Sequence, residues 1–410
     1  MKIYVKITAL FLSVLFLSAP LFSCANNPPA PVTEPATEPV TEPVAKPVTD
    51  STSEKHNLLT EGDFQYYISE DNTVYIEKYI GNNTNVIIPS HINDLPVTVI
   101  GESSFQIPWY LHGTAKSPIS ITVPDTVHTI GSLAFNGCTE LENVAFSKNL
   151  KKIGKGAFEG CESLKSIELP SVVESIDEYA FSGCRSIESV VLPHSVNHLG
   201  KGAFSNCFNL KSATINCNIS SLPDRCFYEC NTLESVTLTD TIEKIEAYAF
   251  YRCMELTDVF LPERIISIGQ YAFFGCLRLQ NLNLPQRLEN IESDAFSYCS
   301  SLYDLEFPDG LLKIGNRAFL GCMGMKTVRL PETLKVVGDN AFEKLWATAI
   351  YLPADLQSIG SKAFLDCNFA ILFYPLTMDE FYDRVSCGED WNYGVYAIGW
   401  ENTPPDLDER

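Results

Sequence analysis

The chain has 410 residues and a formal net charge of -22 at pH 7, from 29 Lys and Arg against 51 Asp and Glu. Nucleic acid is excluded as a partner, because phosphate contacts need clustered basic side chains and an acidic surface repels the backbone. The same charge disfavours an anionic membrane surface and suits the solubility of an extended, exposed molecule.

In chain order, Lys2 and Lys6 precede an apolar run from Ile7 to Phe22, and small residues follow at Ser23, Cys24 and Ala25. That is the grammar of an export signal. Leu21, Phe22, Ser23 and Cys24 resemble the bacterial lipobox, although Phe22 stands where a small residue is usual. The resemblance implies cleavage before Cys24 and lipidation of its thiol. Cleavage after Ala25, or an uncleaved apolar anchor, are the alternatives. No second apolar stretch approaches the roughly 20 residues that span a bilayer. The rest of the chain is therefore expected outside the cytoplasm, held to the membrane through the lipid alone.

Residues 28–50 repeat Pro-Val-Thr-Glu-Pro units with one Lys. Such a composition buries no apolar area and predicts an extended, polyproline-like spacer. At about 3.1 Å per residue, the roughly 30 residues from Ala25 to Lys55 would lift the folded part roughly 90 Å from the membrane. The expected organisation is a signal peptide over 1–23, the modified Cys24 and linker over 24–56, a β cap over 57–85, a repeat domain over 86–367, and a C-terminal cap and tail over 368–410. In the first cap, Phe64 to Ile68 and Val74 to Ile80 alternate as strands about Asp71-Asn72, a hairpin signal.

Ala-Phe pairs then recur with a 23-residue period, ending at Phe135, Phe158, Phe181, Phe204, Phe250, Phe273, Phe296, Phe319 and Phe342, with Cys226-Phe227 in the gap. Cysteines from Cys138 to Cys322 keep the same register, as do prolines at Pro124, Pro170, Pro193, Pro262, Pro285, Pro308 and Pro331. Three columns in phase predict a leucine-rich-repeat solenoid of about eleven 23-residue repeats. In the unit from Cys161 to Phe181, Ile167 and Leu169 alternate as a short strand and Pro170 removes a ladder N–H. Val173 and Ile176 follow, and a short helical or 3-10 segment is expected to carry Ala180 and Phe181 inward. A single repeat buries roughly six apolar side chains at about 2 kcal/mol each, too little against about 1 kcal/mol or more of backbone entropy per residue. Stacking closes that gap. At roughly 4.8 Å per rung the array should be some 50 Å long.

The consensus Cys-x-x-Leu-x-x-Ile-x-Leu-Pro-x-x-Leu-x-x-Ile-Gly-x-x-Ala-Phe-x-Gly-Cys resembles the BspA-like, or Treponema pallidum-type, leucine-rich repeats of bacterial surface proteins. The likeness covers about Val86 to Cys367, with degenerate units at Cys217, Cys226 and Thr239. It implies adhesion to matrix proteins or other cells. An irregular C-terminal cap is expected from Phe369 to Trp400, where the period breaks.

The cysteine column is read as reduced core residues, since free Cys behaves as a small buried hydrophobe. The crowding of Cys207, Cys217, Cys226 and Cys230 marks the one place for a local bridge. His194 and His198 are four apart but straddle a turn, and the column spacing fits no zinc pattern, so neither metal nor cofactor is expected. No Ser, His and Asp constellation, phosphate loop or nucleophile elbow is present, which argues against an enzyme. Binding is instead expected on the outward position two before the proline, which runs Ala145, Glu168, Val191, Thr214, Thr237, Phe260, Asn283, Glu306, Arg329 and Tyr351. Phe260, Tyr303, Arg329 and Tyr351 carry residue types enriched at binding hot spots. They are the candidate contacts for a protein or glycan outside the cell, and the chain is expected to act as a monomer. About seven extra residues around Gln106 to Pro118 bring Trp109 and Tyr110 as further candidates, on a loop that could equally seal the cap.

Overall fold

A computed structural model describes residues 57–400 apart from 109, 111–115, 304, 368–369 and 394; the Cys24 and Trp109 assignments lie outside them. Each rung begins with a strand such as Ser189–Leu192, which buries Val190 and Leu192 and turns Ser189 and Val191 outward. Pro193 ends it, and a two-residue strand, His198–Leu199, buries Leu199 on the next side. Both strands pair in parallel with their counterparts one period away, Val191 with Thr214 and Leu199 with Ile176. The chain is thus a leucine-rich-repeat solenoid of about 14 turns, with a proline-side and a glycine-side column of strands.

Neither column is continuous. The proline-side column forms three parallel sheets, Asn85–Ile87 to Asn143–Ala145, Ser189–Leu192 to Asn281–Leu282, and Thr327–Arg329 to Ala397–Trp400. Its gaps fall at Ile167 to Leu169 and at Leu305 to Phe307, which join no ladder. The strand expected at Ile167 and Leu169 is therefore a correction, although Ile167 still points into the core. On the glycine-side column the ladder is interrupted between His198–Leu199 and Ser221–Leu222.

The Ala-Phe segment is a chain of turns rather than the helical or 3-10 piece expected. Amides point alternately inside and outside it. Ala157, Glu159 and Cys161 donate to Gly154, Gly156 and Phe158 of their own segment, each at 3.1 Å, whereas Gly156, Phe158 and Gly160 donate to Glu178, Ala180 and Ser182 of the next rung, each at 2.8 Å. A helix would satisfy its donors internally and leave the neighbour unheld. The alternation needs left-handed backbone twice per rung, here at Gly156 and Gly160 (φ 57° and 72°), elsewhere at residues with side chains such as Arg225 and Glu229 (φ 56° and 55°). At Gly200 the rungs approach so closely that a Cβ would lie 2.3 Å from the Glu178 nitrogen.

The inner columns run the length of the solenoid. Phenylalanine rings stack from Phe105 to Phe364, at 5.2 Å between Phe158 and Phe181 and 5.5 Å between Phe319 and Phe342. Tyr79 continues the stack below Phe105, and Trp391 closes it edge-on against Phe364. Each column cysteine is buried and donates its thiol to the phenylalanine carbonyl of the preceding rung, as Cys184 does to Phe158 and Cys253 to Phe227, both at 3.2 Å. All described cysteines are free, including Cys207, Cys217, Cys226 and Cys230, where a bridge was considered. Burial pushes the Cys138 and Cys322 thiols up to about 12.

At the N-terminal end, Phe64–Ile68 and Val74–Tyr79 form an antiparallel hairpin that joins the stack through Leu95–Ile100. The C-terminal end is less irregular than expected. Ile371–Tyr374 and Ala397–Trp400 extend the proline-side sheet, and Ser386–Cys387 extends the other. Between them the helix Met378–Arg384, closed by a Thr377 and Glu380 capping box, buries Phe381.

Candidate functional site

The outward row of the proline side changes character along its length. Val191, Thr214 and Thr237 precede Phe260, whose ring is 66% exposed at the last complete strand before the ladder gap. Asn283 and Glu306 follow at one and two rungs. The gap opens a hollow of about 360 Å³, lined by Phe260, Leu282, Asn281, Asn283, Asp258 and Tyr303. Three of its polar side chains bond to one another. Tyr303 donates its hydroxyl to Asn281 Oδ1 at 3.2 Å, and Asn281 Nδ2 donates to Asp258 at 3.0 Å. The apolar floor and the Phe260 ring carry no such partners.

A second hollow of about 270 Å³ adjoins it through Asn283 and is lined by Glu263, Gln286, Glu306 and Asp309. The cations of the same rungs are engaged elsewhere, Arg264 with Glu243 and Lys313 with Glu292. Arg329, one rung beyond Glu306, turns away from it and lies over the Tyr351 ring at 4.1 Å. Tyr351 in turn stacks on Phe373 at 4.8 Å. The face therefore gathers the four outward candidates into two groups, Phe260 with Tyr303 and Arg329 with Tyr351, and adds Phe373. Tyr110 is exposed on the inserted segment and lines neither hollow.

Two further surfaces escaped the sequence reading. On the turn column Tyr228, Tyr251 and Phe274 stack at 4.9 and 5.1 Å beside a second stack of Tyr248 and Tyr271 at 4.9 Å, and Arg225 covers Tyr248 at 4.6 Å. Burial pushes the Tyr228 hydroxyl up to about 12. The signal was available: an aromatic residue follows the Ala-Phe position in three successive units. The rings lie face to face along the axis, so they offer a ligand edges rather than faces. Where the glycine-side ladder breaks, a polar notch of about 470 Å³ is lined by His198, Asn218, Ser220, Ser221, Glu243 and Arg264. Among the described residues no three His, Cys, Asp or Glu side chains gather as metal ligands, and no helix is long and apolar enough to cross a membrane.

With this geometry in place, the chain matches the BspA type leucine rich repeat region in 6 copies, over residues 106–234, 220–347 and 336–385. It is similar to a leucine-rich repeat protein from Bacteroides ovatus, at 25% identity and TM-score 0.53, over 83% of this chain and 99% of that one. A leucine rich cell surface protein from Faecalibacterium prausnitzii aligns at 24% identity and TM-score 0.50, over 84% and 95%. The T. pallidum leucine rich repeat protein aligns at 29% identity and TM-score 0.44, over 54% and 91%. No curated protein matches the chain.

Proposed function

From the premise that the chain belongs to the BspA-type leucine-rich-repeat family, we propose that it is a non-catalytic binding protein of the bacterial surface. It is tethered by lipid at Cys24 and acts as a monomer. The proline-side face from Phe260 to Phe373 holds a protein or glycan outside the cell. One observation carries this reading: Phe260, 66% exposed, stands over a largely apolar hollow beside the second break in the proline-side ladder. Exposed apolar surface of that kind costs solubility, and it marks interaction sites when it is rimmed by polar groups. The export signal and the Pro-rich linker supply the tether, and the family supplies the binding role.

The experiment is to probe the protein against an array of matrix glycoproteins, mucins, plant polysaccharides and bacterial wall fragments. A variant carrying Phe260→Ser, Tyr303→Ser and Tyr351→Ser is probed in parallel. Binding to a host or environmental macromolecule that falls at least tenfold in the folded variant is the expected result. Undiminished binding by that variant discards the face. Capture of wall fragments alone would replace adhesion with an assembly role inside the envelope.

A further inference from the structure

We infer that the paired hollows at the gap between Asn281–Leu282 and Thr327–Arg329 recognise a basic, extended polypeptide. One Lys or Arg side chain enters between Glu263, Glu306 and Asp309, and an apolar side chain nearby covers Phe260. This rests on the proposed binding role of the same face and commits it to a ligand class.

The two hollows differ in what they leave unsatisfied. Around Phe260 the side chains of Tyr303, Asn281 and Asp258 bond to one another, so what remains for a partner is the ring, the apolar floor and the exposed Asn283 amide. In the adjoining hollow it is the carboxylates that lack counter-charges. Arg264 and Lys313 are paired with Glu243 and Glu292, and Arg329 is held over Tyr351. Arg287, exposed beside Gln286, forms no ion pair with them. A cation brought in by a ligand would therefore not have to displace a resident one. Glu263, Glu306 and Asp309 are all exposed, so an ion pair made there is a surface pair that added salt weakens.

Spacing favours an extended chain. Phe260 and Glu306 belong to the same outward row two rungs apart, roughly 10 Å. Side chains at alternate positions of a strand lie about 7 Å apart on one face and reach both hollows. The missing ladder at Leu305 to Phe307 leaves the Glu306 rung without strand pairing to either neighbour. The net charge of -22 adds long-range attraction for such a partner.

The test titrates the full chain with fluorescent peptides of repeated Lys-Ser-Leu, and with Glu-Ser-Leu and Lys-Ser-Ser versions of equal length. Lys-Ser-Leu should bind best, weaken with added salt, and lose at least tenfold in affinity in a Glu263→Gln, Glu306→Gln, Asp309→Asn variant. A control variant, Glu61→Gln, Glu70→Gln, Asp71→Asn, removes as many carboxylates from the far end and should lose less than twofold. Phe260→Ser should bring Lys-Ser-Leu down to the level of Lys-Ser-Ser. Equal losses in the two charge variants, or equal binding of Glu-Ser-Leu, would overturn the inference. If an array ligand depends on Phe260 while neutralising the three carboxylates leaves its affinity unchanged, the binding face stands and the basic ligand falls.

Discussion

The rungs up to Lys211 and those from Phe260 onward share one interior and differ outside. Both halves are filled by the same stacked phenylalanines and the same thiols bonded to the preceding rung. On the surface, charges are paired rung to rung in both halves, Lys151 with Glu174, Lys155 with Glu178 and Lys211 with Glu188 in the first, Arg278 with Glu255 and Lys313 with Glu292 in the second; what differs is the outward row. The outward row of the second half holds Phe260, Tyr351 and Phe373, with carboxylates at Glu263, Glu306 and Asp309 that form no ion pair among the described residues, Glu263 accepting only the Gln286 backbone N–H. Repetition is enforced where each rung must cover the next. Where a side chain meets water, the period constrains only its position, and the residue is free to answer to a ligand.

The largest effect should come from the shared interior and strike both halves at once. Thiols with an ordinary value of 9.0 are pushed up by burial, to about 12 at Cys138 and Cys322. They stay protonated in the folded chain but ionise once it unfolds. Their contribution is complete below about pH 9 and is lost as pH rises toward 12, each thiol withdrawing about 1.4 kcal/mol per pH unit. Urea midpoints followed by circular dichroism should fall steeply across that window in a single transition. A flat profile, or two separate transitions, would break the picture of one continuous core.

Single-site cavities sharpen the same point. Phe181→Ala and Phe296→Ala remove equivalent rings, stacked at 5.2 Å on Phe158 and on Phe273. Each should cost about 3–5 kcal/mol, the range for deleting a buried aromatic side chain. Costs that differ by more than about 1.5 kcal/mol would show that the halves are not equivalent inside. Arg317→Ala comes next. Arg317 grips Asp294 through Nε at 2.9 Å and Nη2 at 2.7 Å, and the aspartate side chain is only 3% exposed. Leaving that carboxylate unpaired should cost about 2–3 kcal/mol, below the roughly 3–5 of a fully enclosed pair because the arginine is itself half exposed.

The interior was legible because the period repeats it: Phe135, Phe158 and Phe181 are spaced by the same interval that stacks their rings. Phe105 was missed because the insertion between it and Phe135 breaks that interval. The final rung was read as irregular for the same reason, since a helix sits between Ile359 and its partner Cys387. The turn segment defeated the reading differently. Its left-handed positions carry Leu133, Tyr179 and Arg225 as readily as glycine, so no local residue announces them; the conformation is imposed by amides bonded to the next rung. On the candidate face, register alone put Phe260, Asn283 and Glu306 in one row. That Tyr303 shares a hollow with Phe260 depends on a ladder gap, and that Arg329 leans to Tyr351 instead of Glu306 depends on side-chain direction. Neither is encoded in spacing.

The smallest effect tests what the charge ladder of the first half is for. Lys211 and Glu188 approach to 2.9 Å, with side chains 54% and 67% exposed. Water screens such a pair and ordering two long side chains offsets its attraction, so Lys211→Ala should cost about 0.2–1 kcal/mol, less at high salt. Removing a lysine also removes whatever apolar surface its methylene stem covers, as long charged side chains do. Lys211→Met separates the two contributions, because it keeps most of the stem and removes the charge. A urea midpoint for Lys211→Met near wild type in 0.5 M salt, and slightly below it at low salt, would assign the ladder to surface charge balance. A loss as large as that of Arg317→Ala would instead make these pairs part of what holds the rungs together, and the contrast between the two halves would have to be redrawn around stability as well as binding.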